Sequence, residues 1–245
     1  MLYIIGLGLN EKGTSLEGFE ALKKCKKIYL ENYTSDFPYK KEKLEKVIKK
    51  KIISVNREFV ENKIQELIQE SKKINISLLV YGSPLIATTH ISLIQEILKN
   101  KVKYKVIHGA SIFDAITETG LQIYKFGKIA SMPKWEKNFT PKSFIDIIKE
   151  NKKISAHTLI LIDIGLDFQD AIKQLEVSVN NKKIKLDKII ICQTLCTKNQ
   201  KILYKKINEL KKIKIKKPFC IIIPSKLHFM ESNILKILND LKENV

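Results

Sequence analysis

Short apolar runs alternate with amphipathic stretches along the first half of the chain. Residues 2–8 (LYIIGLG), 27–33 (KIYLENY), 52–55 (IISV), 76–81 (ISLLVY) and 103–107 (KYKVI) read as strands. Each is too short for a helix and ends near turn-forming residues. Between them, apolar residues recur at helical spacing. Leu16, Phe19, Leu22, Cys25 and Ile28 make one such stripe. A second helix is expected over residues 40–49. Phe59 or Val60 with Ile64, Leu67 and Ile68 makes a third, and Ile91, Leu93, Ile94, Ile97 and Leu98 a fourth. Thr14 and Glu17 stand at capping-box spacing, which predicts Thr14 as the first N-cap. Lys23, Lys24, Lys26 and Lys27 lie where cations suit the helix dipole. The alternation predicts a mostly parallel sheet covered on both faces.

The second half continues less regularly. Residues 125–142 hold Gly127, Pro133, Trp135 and Pro141 with poor periodicity, and read as a linker between two lobes. A helix should start near Pro141, which suits a first turn. Strands follow at 157–164 (HTLILIDI), 188–192 and 218–223 (PFCIII), with a helix over 168–178. Ile234, Ile237, Leu238 and Leu241 form a closing helix. There is no internal repeat. The expectation is an α/β protein of two α/β lobes, residues 1–115 with the Gly-rich turn and residues 116–245, each of ordinary domain size.

With 245 residues and 44% hydrophobic content, the chain can bury one large core or two small ones. No apolar run is long enough to span a bilayer. The apolar N-terminus lacks a basic n-region and reads as a buried strand, not a signal peptide. A cytoplasmic protein with reduced cysteines is expected. Cys25, Cys192, Cys196 and Cys220 form no CxxC pair, and no metal site is predicted.

The net charge of +19 would ordinarily point to nucleic acid. Arg57, however, is the sole arginine, and phosphate and base readers favour the guanidinium fork. The lysine excess reads as compositional drift, and direct nucleic-acid binding is not expected. Lys211, Lys212, Lys214, Lys216 and Lys217 alternate with isoleucine as an edge strand or solvated face would.

Three strand-to-helix turns carry the candidate chemistry: Gly6-Leu7-Gly8-Leu9, Gly82-Ser83-Pro84 followed by Ala87-Thr88-Thr89-His90, and Gly109-Ala110-Ser111-Ile112. Ligands of parallel α/β sheets bind beyond the C-terminal strand ends. Glu11 stands where a dinucleotide fingerprint needs glycine. Alone, the first turn fits either a ligand loop or a ligand-free tight turn. His90 could cap its helix, and His108 closes a strand. His157 and His228 read as structural. Asp163, inside an apolar strand, would need a partner if buried. Ser111 lacks the nucleophile elbow, which argues against hydrolase chemistry.

As a set, several segments resemble the diphthine synthases: MLYIIGLGLN at the start, LENYTS at 30–35, GSPLIATTH at 82–90 and IHGASI at 107–112, then GLQIYKFGK at 120–128, IKEN at 148–151, HTLILIDI at 157–164 and PSKLHFMES at 224–232. They touch almost the whole chain, and KLHFMES looks closer to the archaeal branch. The resemblance implies the tetrapyrrole-methylase class of fold, with two lobes and a cofactor cleft between them, and a homodimer. It implies S-adenosylmethionine as methyl donor, S-adenosylhomocysteine as product, and elongation factor 2 as protein substrate. The acceptor would be the amine of a 3-amino-3-carboxypropyl group on a histidine. The family's cofactor contacts fall on Leu9, Ser83, Ile86, Ser111, Ile112 and Ile162, on Thr194 or Leu195, and on Phe219. Ser83 stands where the family usually has aspartate, Phe219 where it often has histidine, and Cys192-Gln193-Thr194-Leu195 replaces Ala-Arg-x-Gly. Serine forfeits a charge-assisted hydrogen bond. No catalytic residue is assigned. Thr88-Thr89-His90 and Tyr124-Lys125-Phe126 are candidates for the acceptor side. Two other readings remain open at this point: a tetrapyrrole or ribosomal RNA methylase of the same architecture, and a non-catalytic binding protein on the same scaffold.

Overall fold

The computed structural model describes residues 1–182 and 184–243, with side chains through residue 240. Two compact units divide it, Met1–Asp114 and Ala115–Val245.

In the first lobe, β1 (Leu2–Gly6), α1 (Leu16–Lys24), β2 (Lys27–Glu31), α2 (Lys41–Ile48), β3 (Ile53–Val55), α3 (Ile64–Lys73), β4 (Ile76–Val80), α4 (Ile91–Lys99) and β5 (Tyr104–Ile107) follow in order. The strands form one sheet in the order β3-β2-β4-β1-β5, and every neighbouring pair is parallel. Such a sheet must be apolar on both faces. Leu2 and Ile4 of β1 accordingly pack with α3 and α4 residues such as Leu67, Ile68, Leu93 and Ile97. Tyr3 and Ile5 face the opposite way, toward Ala21, Leu22 and Leu44.

Local chemistry corrects three expectations here. The cap of α1 is Ser15, whose side chain accepts from the Gly18 amide at 3.1 Å, while Thr14 is buried. Leu16, assigned to the apolar stripe, is 76% exposed. The third helix is broken: Glu58–Asn62 form one π-helical turn before α3 begins at Ile64.

A four-residue helix, α5 (Ile112–Ala115), follows β5. The second lobe then contains β6 (Ala130–Met132), α6 (Ser143–Lys153), β7 (Thr158–Ile162), α7 (Phe168–Asn181), β8 (Lys188–Gln193), β9 (Lys201–Lys206), α8 (Ile207–Leu210), β10 (Phe219–Ile223) and α9 (Phe229–Glu243). Its sheet has the order β6-β7-β10-β8-β9. Only β6 and β7 run parallel; the other neighbours are antiparallel. The mostly parallel expectation drawn from the first half of the chain therefore holds for the first lobe, while the second lobe is mostly antiparallel. β8 returns directly into β9 through the turn at 194–200, a hairpin that only antiparallel strands allow, and β10 then inserts antiparallel to both β7 and β8.

Residues 125–142 are not a linker. They hold β6, which pairs along β7, with Ala130 and Met132 in the core. Residues 211–217 form no edge strand but present the solvated face that is the other expectation, with Ile213 and Ile215 packed inward and Lys211, Lys212, Lys214 and Lys216 exposed; the edges of the second sheet are β6 and β9 (KILYKK). Asp163 lies past the end of β7 and is exposed, so no buried partner is required. In α9 the fully buried apolar residue is Leu235; Ile237 is 52% exposed, and the side chain of Leu241 lies outside the described residues.

Candidate functional site

The strands β4, β1 and β5 are adjacent, so their C-terminal turns emerge together. The Gly8 amide donates to the Gly82 carbonyl at 3.2 Å, and the Gly82 amide returns a bond to Gly8 at 3.0 Å. A Cβ on Gly6 would lie 2.6 Å from both the Gly109 nitrogen and the Gly82 oxygen. A Cβ on Gly109 would lie 2.7 Å from the Gly8 nitrogen. These glycines are thus required by the approach of the turns to one another, before any ligand is considered.

Five of the predicted cofactor residues sit on these turns. Leu9 is buried, and its carbonyl accepts from the Tyr81 hydroxyl at 3.1 Å. The Ser83 hydroxyl lies 3.1 Å from Nδ1 of the exposed His108. Ile86 is 39% exposed, its amide bound to the Ser83 carbonyl. Ser111 donates from its amide (2.6 Å) and its hydroxyl (2.9 Å) to one Asp114 oxygen. Those two bonds, the backbone one first, hold the Asp114 carboxyl below its ordinary pKa. Ile112 is half-buried at the start of α5. Between Leu9, Ala110 and Ser111 there is room that a side chain on Gly82 would enter, with neighbours at 3.8–4.0 Å. Apolar Leu9, Ile86 and Ile112 beside hydroxyls and backbone amides suit an amphipathic nucleoside-like ligand.

The remaining three cofactor candidates cluster at one end of the second sheet. Ile162 ends β7, Phe219 begins β10 opposite Gln193, and the Thr194 amide donates to the Pro218 carbonyl at 2.9 Å. Leu195 is 4% exposed in the following turn. The Phe219 ring is a core residue of this lobe, edge-on to Phe168 with centroids 5.4 Å apart.

The histidines separate by environment. His90 does not cap α4; its Nδ1 lies 3.0 Å from the Pro84 carbonyl, which the Thr88 hydroxyl also reaches at 2.7 Å. His157 is fully buried and bonded at both nitrogens. The Ser225 amide donates to Nδ1 at 2.9 Å, so Nε2 carries the proton and donates to Glu231 at 3.2 Å. Burial lowers the His157 pKa, against the pull of Glu231.

Glu231 is the hub that sequence reasoning missed. It is fully buried and accepts from the amides of Gln122 (3.0 Å) and His228 (2.7 Å), from Lys125 Nζ, and from His157. Burial alone would raise its pKa; the Gln122 amide, Lys125, the His228 amide and His157 outweigh it and bring it down to about 2. Lys125 also donates to the Lys226 carbonyl at 2.9 Å, so of the Tyr124-Lys125-Phe126 run only Tyr124, 77% exposed, stands open.

Comparison with known proteins assigns this architecture. A family profile for the tetrapyrrole (corrin/porphyrin) methylases matches residues 1–211. A diphthine synthase of Methanococcus maripaludis is 38% identical, the match covering 97% of this chain and 98% of that one. The chain belongs to the diphthine synthase family. Another diphthine synthase, of Methanocaldococcus jannaschii, is 39% identical over 97% of this chain and 98% of its own length. A crystal structure of a diphthine synthase superposes with TM-score 0.89 at 31% identity, covering 98% of this chain and 96% of that one. The diphthine methyl ester synthase of Schizosaccharomyces pombe is 46% identical over 69% of this chain, which spans 60% of that relative's length. The chain therefore has the extent of the archaeal diphthine synthases and only part of the fission-yeast one.

Proposed function

We propose that the chain transfers methyl groups from S-adenosylmethionine to the amine of a 3-amino-3-carboxypropyl group on a histidine of elongation factor 2. The observation that carries this is the match to archaeal diphthine synthases along nearly the whole of both chains. The three joined turns support it, because they gather Leu9, Ser83, Ile86, Ser111 and Ile112 on one sheet edge. The resemblance also carries cofactor contacts over to Ile162, Leu195 and Phe219, which gather at one end of the second sheet.

When bound, the cofactor supplies an activated methyl group on a sulfonium. The chain's own part is orientation. Leu9, Ile86 and Ile112 offer apolar surface, and the Ser83 hydroxyl offers a neutral hydrogen bond. Asp114 holds Ser111 in place through two bonds. Placing an amine in line with the methyl group accounts for much of the acceleration such a reaction needs. The reading also carries a homodimer and a cytoplasmic location; among the described residues no helix is long and apolar enough to cross a membrane.

Calorimetric titration with S-adenosylhomocysteine tests the cofactor assignment. Saturation near one per chain is expected. No binding at millimolar ligand would contradict it.

A further inference from the structure

The other half of the carboxyl edge, beyond β3, β2 and β4, holds a polar cluster that the cofactor assignment does not use. Tyr33 follows β2, Arg57 follows β3, and Thr89 and His90 follow β4. The Arg57 guanidinium lies over the Tyr33 ring, 5.4 Å from its centroid. Its Nε faces Glu61 at 3.7 Å, and the Thr89 hydroxyl donates to the same Glu61 oxygen at 2.8 Å. The His90 ring stands edge-on to Tyr33 at 6.3 Å. Burial, then Glu31 and Glu61, push the Tyr33 phenol up to about 12.

Three features set this cluster apart from a surface ion pair. Among the described residues, no hydrogen-bond partner occupies the two terminal nitrogens of Arg57, whose side chain is 67% exposed with its guanidinium over the Tyr33 ring and its Nε facing Glu61. Glu61 sits in the π-helical turn Glu58–Asn62, and such turns concentrate at functional sites. His90, 1% exposed, has an Nε2 without a hydrogen-bond partner. Since Nδ1 meets a carbonyl and must donate, Nε2 of the neutral ring is an unused acceptor. A buried acceptor left unmet costs free energy unless a ligand or water meets it.

We propose that Arg57 and Glu61 form a subsite for an α-amino-acid head group. The carboxylate binds the guanidinium fork, and the amine, carried on the same carbon, faces Glu61. A lysine would not serve equally, because only the planar fork grips a carboxylate at two points. This rests on the function proposed above, in which two ligands carry such a head group: the cofactor's amino-acid end and the aminocarboxypropyl acceptor.

The test measures Arg57→Lys, Arg57→Ala and Glu61→Gln against the native chain. Titrations use S-adenosylhomocysteine and 5′-methylthioadenosine, which lacks the head group. Kinetics use elongation factor 2 bearing the aminocarboxypropyl histidine. If the cofactor's head group binds here, both Arg57 variants weaken S-adenosylhomocysteine about 10- to 100-fold and leave methylthioadenosine unchanged. If the acceptor's does, nucleoside affinities stay put and the acceptor KM rises by a similar factor. Either result supports the subsite, and Arg57→Lys should rescue neither. Constants within about twofold of native in an active chain would overturn this inference alone. Unchanged S-adenosylhomocysteine binding in a chain that methylates nothing also counts against it. A native chain with neither cofactor binding nor transfer would remove the underlying function as well.

Discussion

Replacing Glu231 tests a fully buried polar hub of the second lobe. Its Oε1 accepts from Gln122 and His157, its Oε2 from Lys125 and His228. Glutamine has nearly the same shape but one oxygen, so its NH2 must face one of these donor pairs. Glu231→Gln is therefore not conservative. The carboxyl falls from an ordinary 4.5 to about 2, which at about 1.4 kcal/mol per pH unit favours the charged form by about 3 kcal/mol. Removing one partner of a buried charged network costs about 3–5 kcal/mol. Glu231→Ala should fall in that range, and Glu231→Gln at or just below its lower end. Urea unfolding at pH 7, with unchanged slope and a lower midpoint, reads the loss. The sign with pH follows from the depressed pKa. The native form binds fewer protons than the unfolded chain, so the contribution is fully present above 4.5 and is lost as pH falls toward 2. Glu231→Gln should abolish that part of the slope. A cost below about 0.5 kcal/mol for both variants would refute the reasoning, since surface substitutions already fall within that margin.

Gly109→Ala should prevent the three turns from closing, because its Cβ would lie 2.7 Å from the Gly8 nitrogen; calorimetry should show loss of S-adenosylhomocysteine binding, and retained affinity would count against the joined-turn site. Ala87 stands at φ 54°, a left-handed conformation that glycine adopts freely, so Ala87→Gly should leave stability unchanged or raise it by up to about 1 kcal/mol in urea melts. His157 is held neutral, its pKa lowered from 6.5 by burial first; its contribution is present above 6.5 and declines as pH falls through the depressed value, and His157→Gln should flatten the stability profile just below pH 6.5. Ser83→Asp restores the residue type expected at that position and should tighten S-adenosylhomocysteine roughly 10-fold in calorimetry, a gain expected of a charged acceptor.

The glycine turns were legible because each follows within two residues of a short strand, and strand, turn and helix starts are local patterns. The first lobe's parallel sheet followed from the same alternation. Strand β9 was hidden because KILYKK spends half its residues on lysine, as an edge strand does. β6 is three residues long and flanked by loop-forming Gly127 and Pro133, so periodicity had too little length to register. The Ser15 cap was missed by one residue, since Thr14, Ser15 and Glu17 offer competing registers and only the backbone decides between them. Glu231 was invisible as a hub because its partners Gln122, Lys125 and His157 lie 109, 106 and 74 residues away. Arg57 stands out in the sequence only as a lone arginine; Glu61 is its local neighbour, but Tyr33 and Thr89 reach the pair through strand order, which no local pattern encodes.

The most direct test of the proposed activity is intact-protein mass spectrometry of elongation factor 2 carrying the 3-amino-3-carboxypropyl histidine, after incubation with this chain and S-adenosylmethionine. Successive single-methyl increments, located by fragmentation to the amine of that histidine and absent from unmodified elongation factor 2, are the predicted result. No increment under conditions where the cofactor is bound, or methyl groups found elsewhere on the factor, would contradict it.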